Sequence, residues 1–192
     1  MNSLVLTDGL LFLVATFLVL RSTNPLAFRL GCGILATAAL LGVLRFSSLL
    51  PLPEMHAFFS GLGASSAFWL LTVSTIWPGN SVSVDAKYAS ILLITSGAIS
   101  LIIVDWLGIA IFGQAMAVIA VLCMLIYALR ARLYSSLIGA LLLETGFLLF
   151  ASQYQITDLA RPGDFLHVFT AAGLLALSRF RTTPEKISEA AN

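Results

Sequence analysis

The chain has 192 residues, of which 59% are hydrophobic and 10% are charged, and its mean hydropathy is +1.02. Soluble domains carry about 25% charged residues, so this composition excludes a chain that covers its surface with charge in water. The net charge of +1 offers no basic excess, which argues against a nucleic-acid partner. We therefore expect an all-α, multi-pass integral protein of the cell membrane, because long apolar runs in lipid must be helical.

Long apolar runs separated by short polar turns predict seven transmembrane helices. The first run has no basic residue ahead of it, which favours a permanent helix over a cleaved signal peptide. Residues 88–129 contain one charged residue, Asp105, and exceed a single crossing at about 1.5 Å per residue, so they predict a hairpin that turns near 105–108. The predicted spans are 3–20, 26–46, 53–77, 86–104, 107–129, 134–152 and 164–180. They form one seven-helix domain over 1–181, followed by a short polar tail over 182–192.

The distribution of basic residues predicts the orientation of the bundle. With seven spans, eight of the ten basic residues fall on one side of the membrane and two fall on the other. Cytoplasmic loops are enriched in Lys and Arg, so we expect the N-terminus outside and the C-terminal tail in the cytoplasm. The eight are Arg21, Arg29, Lys87, Arg130, Arg132, Arg179, Arg181 and Lys186, and the two are Arg45 and Arg161.

Small residues recur in the second and third spans, and in lipid such residues favour close packing of helices. The two cysteines, Cys32 and Cys123, lie inside apolar runs and are interpreted as small core residues rather than a disulfide or a metal pair. The small residues are Gly31, Gly33, Ala36, Ala38, Ala39 and Gly42 in the second span, and Gly61, Gly63 and Ala64 in the third.

Several polar side chains are predicted to lie at one depth, within roughly 10 Å of the outer membrane interface. His56 and Ser60 are four residues apart and share a helix face. His56 and His167 are the only histidines of the chain, and we expect them to face each other across one outward-facing cavity. The set at this depth consists of Asp8, His56, Ser60, Asp105 and His167.

Two acidic residues at helix entrances have structural interpretations. Asp164 follows Pro162 and Gly163, so it is a natural N-cap that can also orient the ring of His167, three residues later. Glu54 follows Pro53 and suits the positive end of the helix dipole.

Glu144 lies near the middle of the sixth span, where a charge costs about 2.5–3.5 kcal/mol or more. It is therefore expected to be protonated and hydrogen-bonded to a neighbouring helix, to face water, or to be paired. Its depth, roughly 10 Å below His167, suits the floor of the outward-facing cavity.

This set of side chains fits more than one chemistry. His56 and His167 with Asp164 or Asp8 provide the three ligands of a catalytic zinc site, and Asp105, Ser60 and Glu144 are the candidate catalytic groups. The same histidines fit the two axial positions of a b-type haem, with Arg45 and Arg161 near its propionates. A cavity for a lipid or small-molecule ligand, and an accessory subunit without chemistry, are the remaining alternatives.

The seven spans, the outside N-terminus, the histidine that opens span 3 and the Asp164-x-x-His167 of span 7 resemble the CREST group of membrane hydrolases, which includes the alkaline ceramidases. The resemblance covers the whole chain in topology, and it extends to small bacterial seven-helix proteins with similarly placed histidines. It implies metal-dependent hydrolysis of a lipid-like amide or ester, with zinc as the cofactor. Membrane lipids and further copies of the chain are the expected partners. This sequence differs at Ala171, where the family pattern has a histidine, and in the order of His56 and Ser60.

Overall fold

The computed structural model describes residues 3–50, 52–153 and 161–178, and within them the chain is helical and contains no β-strand. The all-α prediction is therefore confirmed. The helices are α1 (Ser3–Leu20), α2 (Leu26–Phe46), α3 (Pro53–Ile76), α4 (Ala86–Trp106), α5 (Phe112–Arg130), α6 (Tyr134–Ala151) and α7 (Pro162–Ser178), with one further helical turn, Ser81–Val84, between α3 and α4.

The predicted spans coincide with the observed helices at most of their ends. Six helices, α1 to α6, are long and apolar enough to cross a membrane. The described part of α7 has 17 residues. The predicted polar tail, 182–192, and residues 179–181 lie outside the described residues, as does 154–160 of the loop before α7.

Proline and capping side chains determine where several helices begin. Pro53 and Pro162 are the first residues of α3 and α7, where a missing N–H leaves no hydrogen bond unmade. The Asp85 carboxylate accepts a 2.8 Å hydrogen bond from the backbone N–H of Lys87 and caps α4. These local signals explain why the helix starts were predictable from the sequence.

The turn between α4 and α5 lies later than predicted. Helix α4 continues through Trp106 in a π-helical turn, Ile102–Trp106, and α5 begins at Phe112 rather than at 107. Gly108 adopts a φ of 69°, which a residue without a Cβ adopts at little cost, and the chain reverses around it. Asp105 therefore belongs to the last turn of α4 and not to the connecting loop.

Close backbone contacts hold neighbouring helices together. A Cβ atom on Gly31 of α2 would lie 2.9 Å from the carbonyl oxygen of Ala67 in α3, which agrees with the predicted packing through small residues. Helices α6 and α7 also cross closely: a Cβ on Gly139 or on Gly173 would lie 3.0 Å from the carbonyl oxygen of the other. Gly61, by contrast, has no neighbour within 4 Å of its Cβ position.

Candidate functional site

A cavity of about 110 Å³ lies between α1, α2, α3, α6 and α7, and we call it the central cavity. Its walls are mainly apolar, and a few polar side chains from three helices meet there. The polar residues are Asp8, His56, Ser60, His167 and Thr170, and the larger apolar residues are Leu11, Leu35, Phe68, Phe147 and Leu166. The structure thus brings both histidines, Ser60 and Asp8 to one cavity.

Asp8 and His167 are in direct contact at this cavity. The Nδ1 atom of His167 lies 3.2 Å from Oδ1 of Asp8, which is 1% exposed, whereas the side chain of His167 is 19% exposed. The Asp8 carboxylate is also enclosed from the side of α2, because a Cβ on Gly42 would lie 3.0 Å from Oδ1 and 2.7 Å from Cγ. Asp8 is therefore a buried carboxylate whose described polar partner is the His167 ring.

Asp8 and Thr7 together favour a proton on Nδ1 of His167. The Thr7 hydroxyl donates to Oδ1 of Asp164 at 2.8 Å, the shortest of its contacts, and lies 3.5 Å from Nδ1 of His167. With its proton given to Asp164, the hydroxyl can only accept from His167. A proton on Nδ1 satisfies both Thr7 and Asp8, and it leaves the Nε2 lone pair of His167 available to the cavity.

Asp164 joins α7 to α1 and does not line the central cavity. Its carboxylate accepts hydrogen bonds of 2.8 Å from the hydroxyls of Ser3 and Thr7 and from the backbone N–H of Arg161. Asp164 is the third residue of α7, and it accepts from the backbone N–H of Arg161, the residue before the helix. The prediction that Asp164 is the N-cap was therefore wrong. Its hydrogen bond is the one that the third residue makes in a capping box. Its predicted role as a metal ligand receives no geometric support, because three donors already occupy the carboxylate.

His56 has the opposite arrangement of its ring nitrogens. Nη1 of Arg45 lies 3.2 Å from Nδ1 of His56, and the ring of Phe46 meets the imidazole edge-on at 5.6 Å between centroids. A guanidinium can only donate, so Nδ1 of His56 accepts and its proton resides on Nε2. His56 thus offers an N–H donor, whereas His167 offers a lone pair.

A π-helical turn in α3, Gly63–Ala67, shapes the wall of the cavity. Gly63, Ala64 and Phe68 line the cavity together with His56. In an uninterrupted α-helix, Phe68 would be rotated by about 120° from His56, twelve residues earlier. The wider π turn takes up part of this rotation and brings both residues to one face. Sequence periodicity did not reveal this turn, and the small-residue run Gly-Ala-Ser-Ser-Ala was the one local signal.

Asp105 and Glu144 do not line the central cavity, so the structure does not bring these two predicted site residues together with the histidines. Asp105 is exposed on α4 and lines a separate groove between α3 and α4 together with Glu54. Glu144 is half-buried on α6, and its Oε2 atom is shielded from solvent without a hydrogen-bond partner among the described residues. The cavity is instead reached from α6 by Phe147, one turn further along.

The arrangement fits neither of the cofactors considered from the sequence. Within residues 3–50, 52–153 and 161–178, no group of three or more His, Cys, Asp and Glu side chains is placed to hold a metal ion. Nδ1 of His56 accepts from Arg45. A metal bound to Nε2 would require Nδ1 to carry the ring proton and to donate instead. Axial ligation of a haem iron through Nε2 of His56 would place the same requirement on Nδ1.

The fold and the cavity define the class of this chain as a bundle of membrane-length helices with an internal polar site. No protein-family model, no curated protein and no solved structure matches the chain.

Proposed function

We propose that the chain is a seven-span integral protein of the cell membrane, with its N-terminus outside and the central cavity open to the outer side. Six membrane-length helices support the membrane assignment. Helix α7, with 17 described residues, is the seventh span, and its length suits a crossing with little tilt from the membrane normal. The eight-to-two distribution of basic residues supports the orientation.

Cysteine labelling tests this orientation. In a chain whose Cys32 and Cys123 are replaced by alanine, single cysteines introduced at Gln153 and at Ser188 lie on opposite sides of the proposed topology. A membrane-impermeant maleimide added to intact cells should label position 153 and not position 188. The reverse pattern would overturn the orientation and place the central cavity on the cytoplasmic side.

We further propose that the central cavity hydrolyses an ester or amide bond of a lipid-like substrate without a metal ion. The observation that supports this function best is the Asp8–His167 contact of 3.2 Å at a cavity that also contains His56. A buried carboxylate that holds the Nδ1 proton of a histidine makes the Nε2 lone pair a general base. The apolar walls suit a hydrocarbon chain, and the polar end suits the carbonyl group.

The reaction follows from the opposite tautomers of the two histidines. Nε2 of His167 accepts a proton from a water molecule as its oxygen bonds to the substrate carbonyl carbon, and the Asp8 carboxylate stabilises the resulting imidazolium. The Nε2–H of His56 donates to the carbonyl oxygen as it becomes negatively charged. The carbon–oxygen or carbon–nitrogen bond then breaks, and the imidazolium returns its proton to the leaving alcohol or amine. Ser60, which lines the same cavity, supplies a further hydroxyl for orienting the water.

An assay with fluorogenic acyl esters and acyl amides of increasing chain length tests this proposal. His167→Gln and Asp8→Asn should each lower the rate by about 10²–10⁴-fold, the range for loss of a general base. Asp105→Asn, on the neighbouring groove, is the matched control and should leave the rate unchanged. Equal rates in the wild type and in His167→Gln would overturn the proposal.

A second candidate function is binding of the same class of ligand without turnover. The mainly apolar lining favours it, because such walls bind a hydrocarbon chain whether or not a bond is broken. Release of free fatty acid from a bound acyl ester by the wild-type protein, but not by His167→Gln, would distinguish hydrolysis from binding.

A further inference from the structure

A second concave region, which we call the α2 groove, lies on the surface between α1, α2, α3 and α4 and encloses about 360 Å³. Arg29 is the one charged residue of its lining, and the rest of the surface is apolar apart from Thr37. The volume falls within the range of about 300–1,000 Å³ that is typical of ligand sites. The groove is separate from the central cavity, with which it shares no lining residue.

Arg29 lies in the first turn of α2 and uses one donor within the protein. Its Nε atom donates to the carbonyl oxygen of Val19 at 2.7 Å, which holds the base of the guanidinium in place. Across the part of the chain that the structure describes, the one ion pair within 4.0 Å is that of Asp8 with His167, so Arg29 is not neutralised by a carboxylate. Its two terminal nitrogens therefore remain as paired donors for an external anion.

The charge of Arg29 calls for an anionic partner for two physical reasons. The residue is half-buried, and an arginine among apolar groups is costly unless it is paired or reaches the membrane interface. The positive end of the α2 dipole lies at the same place and favours an anion further. A phosphate group offers oxygens that match the forked geometry of a guanidinium.

The apolar part of the groove extends from Arg29 along α2. Gly33 and Thr37 follow at intervals of four residues and therefore lie on one face, and Leu93 of α4 and Phe59 of α3 complete the walls. Residues 26–37 span about 16 Å at 1.5 Å per residue, which is sufficient for much of an acyl chain. At Gly33 the nearest atom to a Cβ position is Val19 Cγ2 at 3.8 Å, so the floor of the groove is open there.

We propose that the α2 groove binds one anionic phospholipid of the surrounding membrane. Its phosphate is held by the terminal nitrogens of Arg29, and one acyl chain lies over Gly33 toward Thr37 and Phe59. Charge complementarity selects this occupant, because a single cation at one end of an apolar groove matches an amphiphile with an anionic head and a hydrocarbon chain. The site requires only that the protein lies in a membrane and does not depend on hydrolysis in the central cavity.

The test uses the full chain reconstituted in bilayer nanodiscs of equimolar phosphatidylglycerol and phosphatidylcholine, released into the gas phase for native mass spectrometry. The wild type should retain one phosphatidylglycerol in preference to phosphatidylcholine by at least about tenfold, which corresponds to 1.4 kcal/mol. Arg29→Gln should abolish this preference. Arg21→Gln, which removes a nearby cation outside the groove, is the matched control and should keep it.

Gly33→Leu provides a second test that leaves the bond between Arg29 and Val19 intact. Its side chain fills the floor of the groove, so one-to-one retention of phosphatidylglycerol should fall to the level of Arg29→Gln. Equal retention of the two lipids by the wild type, or an unchanged preference for phosphatidylglycerol in Gly33→Leu, would overturn the proposal even where Arg29→Gln fails to fold. None of these readouts involves turnover, so they are independent of the hydrolysis assay.

Discussion

Gly42 of α2 lies directly against the carboxylate of Asp8 on α1, so that a Cβ atom at position 42 would overlap the acid group. The Oδ2 atom of Asp8 on this side is buried and has no hydrogen-bond partner among the described residues. The absence of a side chain at Gly42 therefore leaves room for the carboxylate beside His167, and the packing of α1 on α2 determines the position of Asp8.

Gly42→Ala should displace the Asp8 carboxylate and disrupt its contact with His167. We expect a loss of about 1–3 kcal/mol in the free energy of unfolding, as for other insertions into packed cores, together with loss of hydrolysis. Gly9→Ala, beside Asp8 on α1, is the control, because no neighbouring atom lies within 4 Å of the Cβ position of Gly9. Thermal unfolding in detergent measures the first effect, and wild-type stability and rate in Gly42→Ala would contradict the contact.

Asp164 is expected to act on stability rather than on chemistry. Asp164→Ala leaves the hydroxyls of Ser3 and Thr7 without their acceptor, which should lower the free energy of unfolding by about 1–3 kcal/mol. The rate per folded molecule should fall less than in Asp8→Asn, because the Asp8–His167 contact does not pass through Asp164. A loss of rate equal to that of Asp8→Asn at unchanged stability would show that Asp164 belongs to the reacting groups.

Glu144 is the residue at which removal of a carboxylate should help the fold. Its Oε2 atom is shielded and unpartnered among the described residues, and an unsatisfied buried polar group costs about 1–3 kcal/mol. Glu144→Leu should therefore leave the melting temperature unchanged or raise it, and hydrolysis should persist because Glu144 does not line the central cavity. A marked fall in the melting temperature, with Glu144→Gln tolerated, would instead reveal a hydrogen-bonded acid.

Removal of metal ions should leave hydrolysis unchanged. The described side chains provide no group of three metal ligands. Arg45 donates to Nδ1 of His56, and this nitrogen would have to carry the ring proton if Nε2 bound a metal. Dialysis against EDTA followed by assay is the measurement. Loss of activity that zinc restores would contradict the metal-free reaction and return His56 to the role of ligand.

The helices were largely predictable, because their ends are marked by residues with strong local preferences. The limits of α1 and α2 agree with the predicted spans, since the turn at 22–25 ends one apolar run and begins the next. The predicted turn near 105–108 includes Gly108, around which the chain reverses, but the predicted helix bounds were early because a π-helical turn extends α4 through Trp106. Periodicity shows where an apolar run ends, and it does not show how the backbone finishes the last turn.

The sequence predicted how far along their helices the site residues lie, but not which neighbouring helix each side chain faces. A rise of about 1.5 Å per residue placed Asp8, His56 and His167 at one level, and the structure brings these three to one cavity. The same reasoning placed Asp105 at this level, and Asp105 lines a separate groove, because depth contains no information about helix rotation. The partners of Asp164 were also beyond prediction, since Ser3 and Thr7 are about 160 residues away in the chain and meet it only through the packing of α1 on α7.

The tautomers of the two histidines test the central claim most directly, because the chain has no other histidine. In ¹⁵N-histidine-labelled protein, with resonances assigned by His56→Gln, we expect a proton on Nδ1 of His167 and on Nε2 of His56 at neutral pH. In Asp8→Asn, the side-chain amide can turn its N–H toward Nδ1 of His167, which a carboxylate cannot do, so the His167 proton should move to Nε2 while His56 stays unchanged. A wild-type His167 with its proton on Nε2, or a His167 spectrum that Asp8→Asn leaves unaltered, would contradict the account.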